Sequence, residues 1–166
     1  MKIDFVILLL AALIPLAVGF VWYNPKIGFG NAWMKAADMS EEKAKGANML
    51  LVFGLTYVLS ILIAFVLCAL SIHQFGVTSL FYKQPINDAT TEMGALYKSI
   101  MDNLGTSYRT FKHGALHGAV AGLFMATPIL TINALFERKS FKYIAINSGY
   151  WIVAMLLMGG VVCAYA

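Results

Sequence analysis

Long apolar stretches that are almost free of charge alternate with short polar segments along the chain. Four stretches are long enough to cross a bilayer as helices, at approximately 3–23, 46–72, 113–136 and 143–165. A hydrocarbon core of about 30 Å needs roughly 20 apolar residues of helix, because a helix satisfies its own backbone hydrogen bonds where water is absent. The pattern therefore predicts four membrane-spanning helices.

The segment between the second and third stretches follows a different pattern. From 88 to 104, apolar residues such as Met93, Leu96 and Ile100 recur at helical spacing, and Gly105 follows as a C-terminal cap. This predicts a short amphipathic helix that lies on the membrane surface or packs across the mouth of the bundle. The predicted fold class is all-α: one polytopic membrane domain over 1–166, a four-helix bundle with this helix between spans 2 and 3.

Composition agrees with that fold class. Hydrophobic residues make up 60% of the chain and charged residues 12%, with a mean hydropathy of +0.76. A soluble domain carries about 25% charged residues, so most classes of soluble enzyme, secreted disulfide scaffolds and disordered tails are excluded. The net charge of +4 does not indicate nucleic acid as a partner, because the Lys and Arg residues flank apolar stretches, where they orient helices.

The distribution of basic residues predicts an orientation. Lys and Arg are denser in the short loops that four spans place on one face, and the positive-inside rule makes that face cytoplasmic. Both termini are then expected outside. The residues on the predicted inner face are Lys26, Lys35, Lys43, Lys45, Arg138, Lys139 and Lys142, and those on the predicted outer face are Lys2, Lys83, Lys98, Arg109 and Lys112.

A stripe of small residues marks the third span. Gly114, Gly118, Gly122 and Ala126 recur every four residues. Small residues at this spacing let two helix backbones approach closely, which matters in lipid because apolar burial does not drive helices together there. The stripe predicts a tight helix contact, either with another span of the same chain or with a second copy of the chain.

The three histidines of the chain all fall on the predicted outer face. His113 and His117 are one helical turn apart at the start of span 3, and His73 ends span 2. Imidazoles suit Zn, Cu or Fe, and an axial imidazole can hold haem. The chain offers no spaced carboxylate or C-x-x-C to complete a strong metal motif. No cofactor is therefore predicted outright. Two alternatives remain for the histidines: a Zn, Cu or haem site, or hydrogen bonds to neighbouring loops without a cofactor.

Polar residues also collect at the predicted inner ends of the spans. Spans 3 and 4 must be antiparallel neighbours there, because a very short connection joins them. Amides inside a membrane are costly unless paired, so these residues predict hydrogen bonds between helices or a vestibule for an ion or small solute. The cluster comprises Asn24, Lys26, Asn133, Glu137, Asn147 and Tyr150.

Two groups of short motifs resemble a known family. The opening group reads GFVWYNP at 19–25 and GNAWM at 30–34, and the closing group reads PILTIN at 128–133, LFE at 135–137 and INSGY at 146–150. They are similar to domain-of-unknown-function family 1761, small bacterial integral membrane proteins. The resemblance implies a compact four-helix protein of the bacterial cytoplasmic membrane and no catalytic residues. The segment 73–112 and the His113/His117 pair look like additions to the family pattern.

Three functions remain open at this stage. The chain has no G-x-S-x-G, no H-E-x-x-H, no phosphate-binding glycine loop and no acidic residue deep in a span beside a second titratable group, so we expect no enzyme. The first hypothesis is a structural or accessory protein that packs with itself or with a larger envelope complex in the bilayer. The second is a small-solute carrier or channel with an inner polar vestibule. The third is an outer-face metal- or haem-binding protein.

Overall fold

Four long helices dominate the computed structural model, which describes residues 3–40, 42–43 and 46–166. Span 1 is Phe5–Trp22, span 2 is Met49–Ser71, span 3 is Phe111–Phe136 and span 4 is Phe141–Tyr165, and each is long and apolar enough to cross a membrane. The described part of the chain is otherwise made of short helices and turns, without a strand. The predicted fold class is confirmed. Lys2 and Lys45, which entered the orientation count, lie outside the described residues.

Three shorter helices have both of their ends within the described parts of the connections between the spans. These are Gly30–Ala37, His73–Leu80 and Glu92–Leu104. The predicted amphipathic helix begins at Glu92 rather than at residue 88, because Thr91 is its N-cap and its hydroxyl accepts a hydrogen bond from the Gly94 amide at 3.1 Å. The helix His73–Leu80 follows span 2 after a single extended residue, Ile72.

Prolines mark irregularities in two spans. Span 1 is broken into Phe5–Ala11 and Ile14–Trp22, just before Pro15, because proline lacks the amide hydrogen that would continue the helix. In span 3, a π-helical turn at Gly122–Ala126 precedes Pro128. The Gly122 carbonyl accepts from both the Thr127 amide and the Thr127 hydroxyl, the latter at 2.9 Å, so the hydroxyl has a partner inside an apolar segment.

Span 4 is the centre of the bundle. Half of the residues in its most apolar 18-residue stretch are buried, compared with about a fifth in each of the other spans. Ala154, Met158 and Val162 are fully enclosed, whereas spans 1, 2 and 3 turn leucine and phenylalanine side chains outward. This is the arrangement expected of helices whose outer faces meet hydrocarbon.

The small-residue stripe of span 3 contacts span 4. A Cβ atom added at Gly118 would overlap the Met155 carbonyl oxygen and lie 3.0 Å from the Leu156 Cα atom, and one added at Gly122 would lie 2.7 Å from the Ile152 Cα atom. Gly114 packs against Gly159 in the same way. The stripe therefore serves a contact within the chain. Ala126 lies beyond this contact, half-buried at the edge of the core.

Candidate functional site

The three histidines come from two separate segments at one end of the bundle. His73 opens the helix that follows span 2, directly after the extended Ile72. His113 and His117 lie on the first two turns of span 3, which begins after the N-cap Thr110, whose hydroxyl accepts from the His113 amide at 3.2 Å. Because the two positions are four residues apart on one helix, their side chains leave the same face.

The three imidazoles converge closely. Their nearest potential ligand atoms all lie within 4.8 Å of one another. The Nε2 atoms of His73 and His113 are 2.9 Å apart, and the ring centres of His113 and His117 are 4.6 Å apart. No other group of three His, Cys, Asp or Glu side chains comes together in this way among the described residues.

The spacing is close to that of a metal site. A tetrahedral zinc ion with Zn–N bonds of about 2.0–2.1 Å holds its ligand nitrogens about 3.3 Å apart. In the hydrogen bond between His73 and His113, one ring nitrogen donates and the other accepts. To hold one ion, the three ligand nitrogens would have to move from within 4.8 Å of one another to about 3.3 Å, and the ion would take the place of the proton between His73 and His113. His73 is exposed and the other two rings are half-buried, so a further ligand can approach from solvent.

The loop before span 3 holds a fourth ring against the cluster. The Tyr108 ring centre is 5.2 Å from that of His113 and 6.3 Å from that of His73. Tyr108 has a left-handed backbone with φ of 61°, which is uncommon outside glycine. No pattern in the sequence indicated this residue, because the contact depends on the course of the loop.

An arginine fastens this loop to the end of span 4. The Arg109 Nε donates to the Cys163 carbonyl at 2.7 Å, and the same guanidinium donates to the Ala166 carbonyl. These carbonyls lack partners within the helix, so one planar group satisfies two acceptors. Cys68 and Cys163 are buried and free, and they are not members of the histidine cluster.

Polar contacts at the opposite end join span 4 to span 1. The Tyr23 hydroxyl donates to the Asn147 Oδ1 at 2.8 Å, and the Asn147 Nδ2 donates to the Tyr143 carbonyl at 2.8 Å. The Tyr150 hydroxyl donates to the Pro15 carbonyl at 3.0 Å. Burial, with a smaller effect of the neighbouring tyrosines, raises the pKa of Tyr23, so its hydroxyl stays protonated and able to donate.

The remaining residues of the predicted inner cluster lie apart from these contacts. Asn24 and Lys26 share a turn, in which the Asn24 Oδ1 accepts from the Lys26 amide at 2.8 Å. Asn133 and Glu137 are exposed at the end of span 3, and their side chains make no hydrogen bond within the described residues. Only Asn147 and Tyr150 of the six join the interhelical contacts, with Tyr23 as the partner that sequence reasoning missed.

One comparison with known proteins identifies a family. The sequence model of the family described as protein of unknown function (DUF1761) matches residues 6–163, nearly the whole chain. No curated protein and no solved structure matches the chain. The motifs near both ends had indicated the same family, and the chain belongs to the DUF1761 family.

Proposed function

We propose that this protein binds a divalent transition-metal ion through His73, His113 and His117, at one face of a four-helix membrane domain. The observation that carries the proposal is the convergence of three imidazoles from two segments far apart in sequence, with ligand atoms within 4.8 Å. By the positive-inside count, this face is the extracytoplasmic one in a bacterial membrane.

The ligand set favours a particular class of ion. Neutral imidazoles suit Zn²⁺, Cu²⁺ and Ni²⁺, whereas Mg²⁺ and Ca²⁺ require oxygen ligands. A haem would use one or two axial imidazoles and a flat cavity beside them, and three nitrogens clustered around one point fit a bare ion better. Three protein ligands leave a fourth position open, as in zinc sites that bind an exchangeable molecule.

The two other hypotheses now have weaker support. A role in self-association drew on the glycine stripe of span 3, which contacts span 4 of the same chain. The hypothesis of a solute vestibule rested on six inner polar residues. The side chains of Asn147 and Tyr150 are already hydrogen-bonded to Tyr23 or to the backbone, which leaves fewer polar groups for a solute. An accessory protein would still co-purify with a partner under gentle extraction, and a carrier would be stabilised by its solute, so both hypotheses have their own tests.

Elemental analysis of purified protein tests the metal proposal. The protein should carry no polyhistidine tag, and it should be extracted in a neutral detergent without chelators. We expect close to one Zn, Cu or Ni ion per chain, and loss of that ion in the His113→Ala, His117→Ala double variant. The matched control is Lys112→Ala, an exposed position on the same turn, which should keep the metal.

Folding must be monitored alongside the metal content. All variants should show the helical circular dichroism and the elution volume of the unmodified protein. Wild-type protein that stays metal-free after incubation with each ion, or a double variant that is folded and retains the ion, would contradict the proposal.

A further inference from the structure

An apolar groove runs between spans 2 and 3. It has a volume of about 430 Å³, and span 4 forms its floor. This lies in the range of small-molecule sites, about 300–1,000 Å³. Span 2 packs against Phe111–Ala121 but makes few or no contacts with span 3 from its π-helical turn onward, which leaves the groove open there. Its lining includes Leu62, Val66, Leu70, Ala121, Ile129 and Trp151.

The outer end of this groove lies next to the histidine cluster. Leu70 lines the groove and is three residues before His73, and Ala121 lines it and is four residues after His117. Ala121 and His117 lie one turn apart on the same helix, whereas Leu70 and His73 are separated by the extended Ile72, at which span 2 ends. From Ala121 to Ile129 a helix rises about 12 Å, so the groove extends away from the histidines into the apolar part of the bundle.

We infer that the metal site and the groove together bind a single-chain amphiphile with a carboxylate head, such as a long-chain fatty acid. The inference rests on the proposed metal site. Three neutral imidazoles leave the charge of a divalent ion uncompensated, so an oxygen anion is the favoured ligand at its open position. The chain of the same molecule fills the groove, whose lining side chains are apolar apart from the indole N–H of Trp151.

Both parts of the ligand are needed for this arrangement. A small carboxylate such as acetate would meet the ion but leave the groove to detergent or lipid. An alcohol of equal chain length would fill the groove without a charge for the ion. A fatty acid gains both contributions in one binding event, so its affinity should exceed that of either fragment.

Equilibrium binding of radiolabelled palmitate to zinc-loaded protein in neutral detergent tests the inference. Acetate and hexadecanol serve as head-only and chain-only competitors. We expect palmitate to bind at least about tenfold more tightly than either, a difference of about 1.4 kcal/mol, and to lose about the same factor when a chelator removes the ion. Equal affinities, or palmitate binding that does not respond to the chelator, would overturn the inference.

A pair of tryptophan variants locates the chain. Ile129 lines the groove and Ile132 does not, and their side chains are 59% and 54% exposed, so neither substitution disturbs the core. Ile129→Trp should weaken palmitate binding and leave the metal content unchanged, whereas Ile132→Trp should change neither. Unaltered palmitate binding in Ile129→Trp would contradict the placement of the chain.

The outcomes separate this inference from the proposal on which it rests. Metal-free wild-type protein would refute the metal site itself. Stoichiometric metal without metal-dependent palmitate binding would refute only the amphiphile. Displacement of palmitate by an equal concentration of phosphatidylglycerol would overturn the choice of a single-chain carboxylate and assign the groove to a phospholipid.

Discussion

Replacement of Gly118 by alanine should loosen the contact between spans 3 and 4. The added Cβ atom would overlap the Met155 carbonyl oxygen and press on the Leu156 Cα atom at 3.0 Å. Both obstacles are backbone atoms, so no side-chain rotation can relieve the overlap and the two helices must separate. Overpacking of this kind costs about 1–3 kcal/mol, and alanine recovers about 1 kcal/mol of helix propensity. We therefore expect a net loss of stability of up to about 2 kcal/mol.

Gly54 provides a matched control for this substitution. It lies inside span 2, and a Cβ atom added there meets nothing within 4 Å. Gly54→Ala should leave the free energy of unfolding unchanged or raise it by up to about 1 kcal/mol through helix propensity alone. Both variants therefore add one methyl group to a helix, at a tightly packed position in Gly118→Ala and at an open position in Gly54→Ala.

The free energy of unfolding can be measured by titrating mixed micelles with sodium dodecyl sulfate and following helical circular dichroism. The account predicts that Gly118→Ala unfolds at lower denaturant than wild type and Gly54→Ala does not. Equal stability of the two variants would refute the close approach of spans 3 and 4. Because His117 precedes Gly118, the same separation should also lower the metal content of Gly118→Ala.

Three further predictions concern the polar contacts. Asn147→Leu leaves the Tyr23 hydroxyl without its acceptor and should cost about 1–3 kcal/mol in the same unfolding titration; a double variant with Tyr23→Phe that recovers nothing would argue against this pairing. The pKa of Tyr23 is raised in the folded protein, so above about pH 10 the unfolded state loses the phenol proton while the folded state keeps it. The free energy of unfolding should therefore fall as the pH rises above about 10, and Tyr23→Phe should reduce that fall. Arg109→Lys cannot satisfy the Cys163 and Ala166 carbonyls together, so amide exchange at the end of span 4 should accelerate, and an unchanged exchange rate would contradict the anchoring role.

The spans were predictable because each depends only on a long run of apolar residues. A bilayer-length apolar helix needs no knowledge of its neighbours. The observed ends differ from the predicted ones where local geometry decides, as at Met49, where Asn48 caps span 2. The extended Ile72 and the helix after it had no sequence signal, because no proline or glycine stands at that break.

The candidate site was likewise predictable in part. The pairing of His113 with His117 followed from helical spacing alone, and the place of His73 on the same face followed from the topology. The distance of 2.9 Å between the Nε2 atoms of His73 and His113 depends on the break at Ile72 and on helix packing. Neither of these can be derived from the spacing of residues along the sequence. The position of Tyr108 and the groove beside the histidines are likewise properties of the packed bundle.

X-ray absorption at the edge of the bound metal tests the central claim most directly. Tag-free protein, loaded with one equivalent of zinc, should give a first shell at about 2.0–2.1 Å that contains three imidazole nitrogens, and this signal should vanish in the His113→Ala, His117→Ala double variant. A shell with two or fewer imidazoles, or the same spectrum from the double variant, would contradict the three-histidine site.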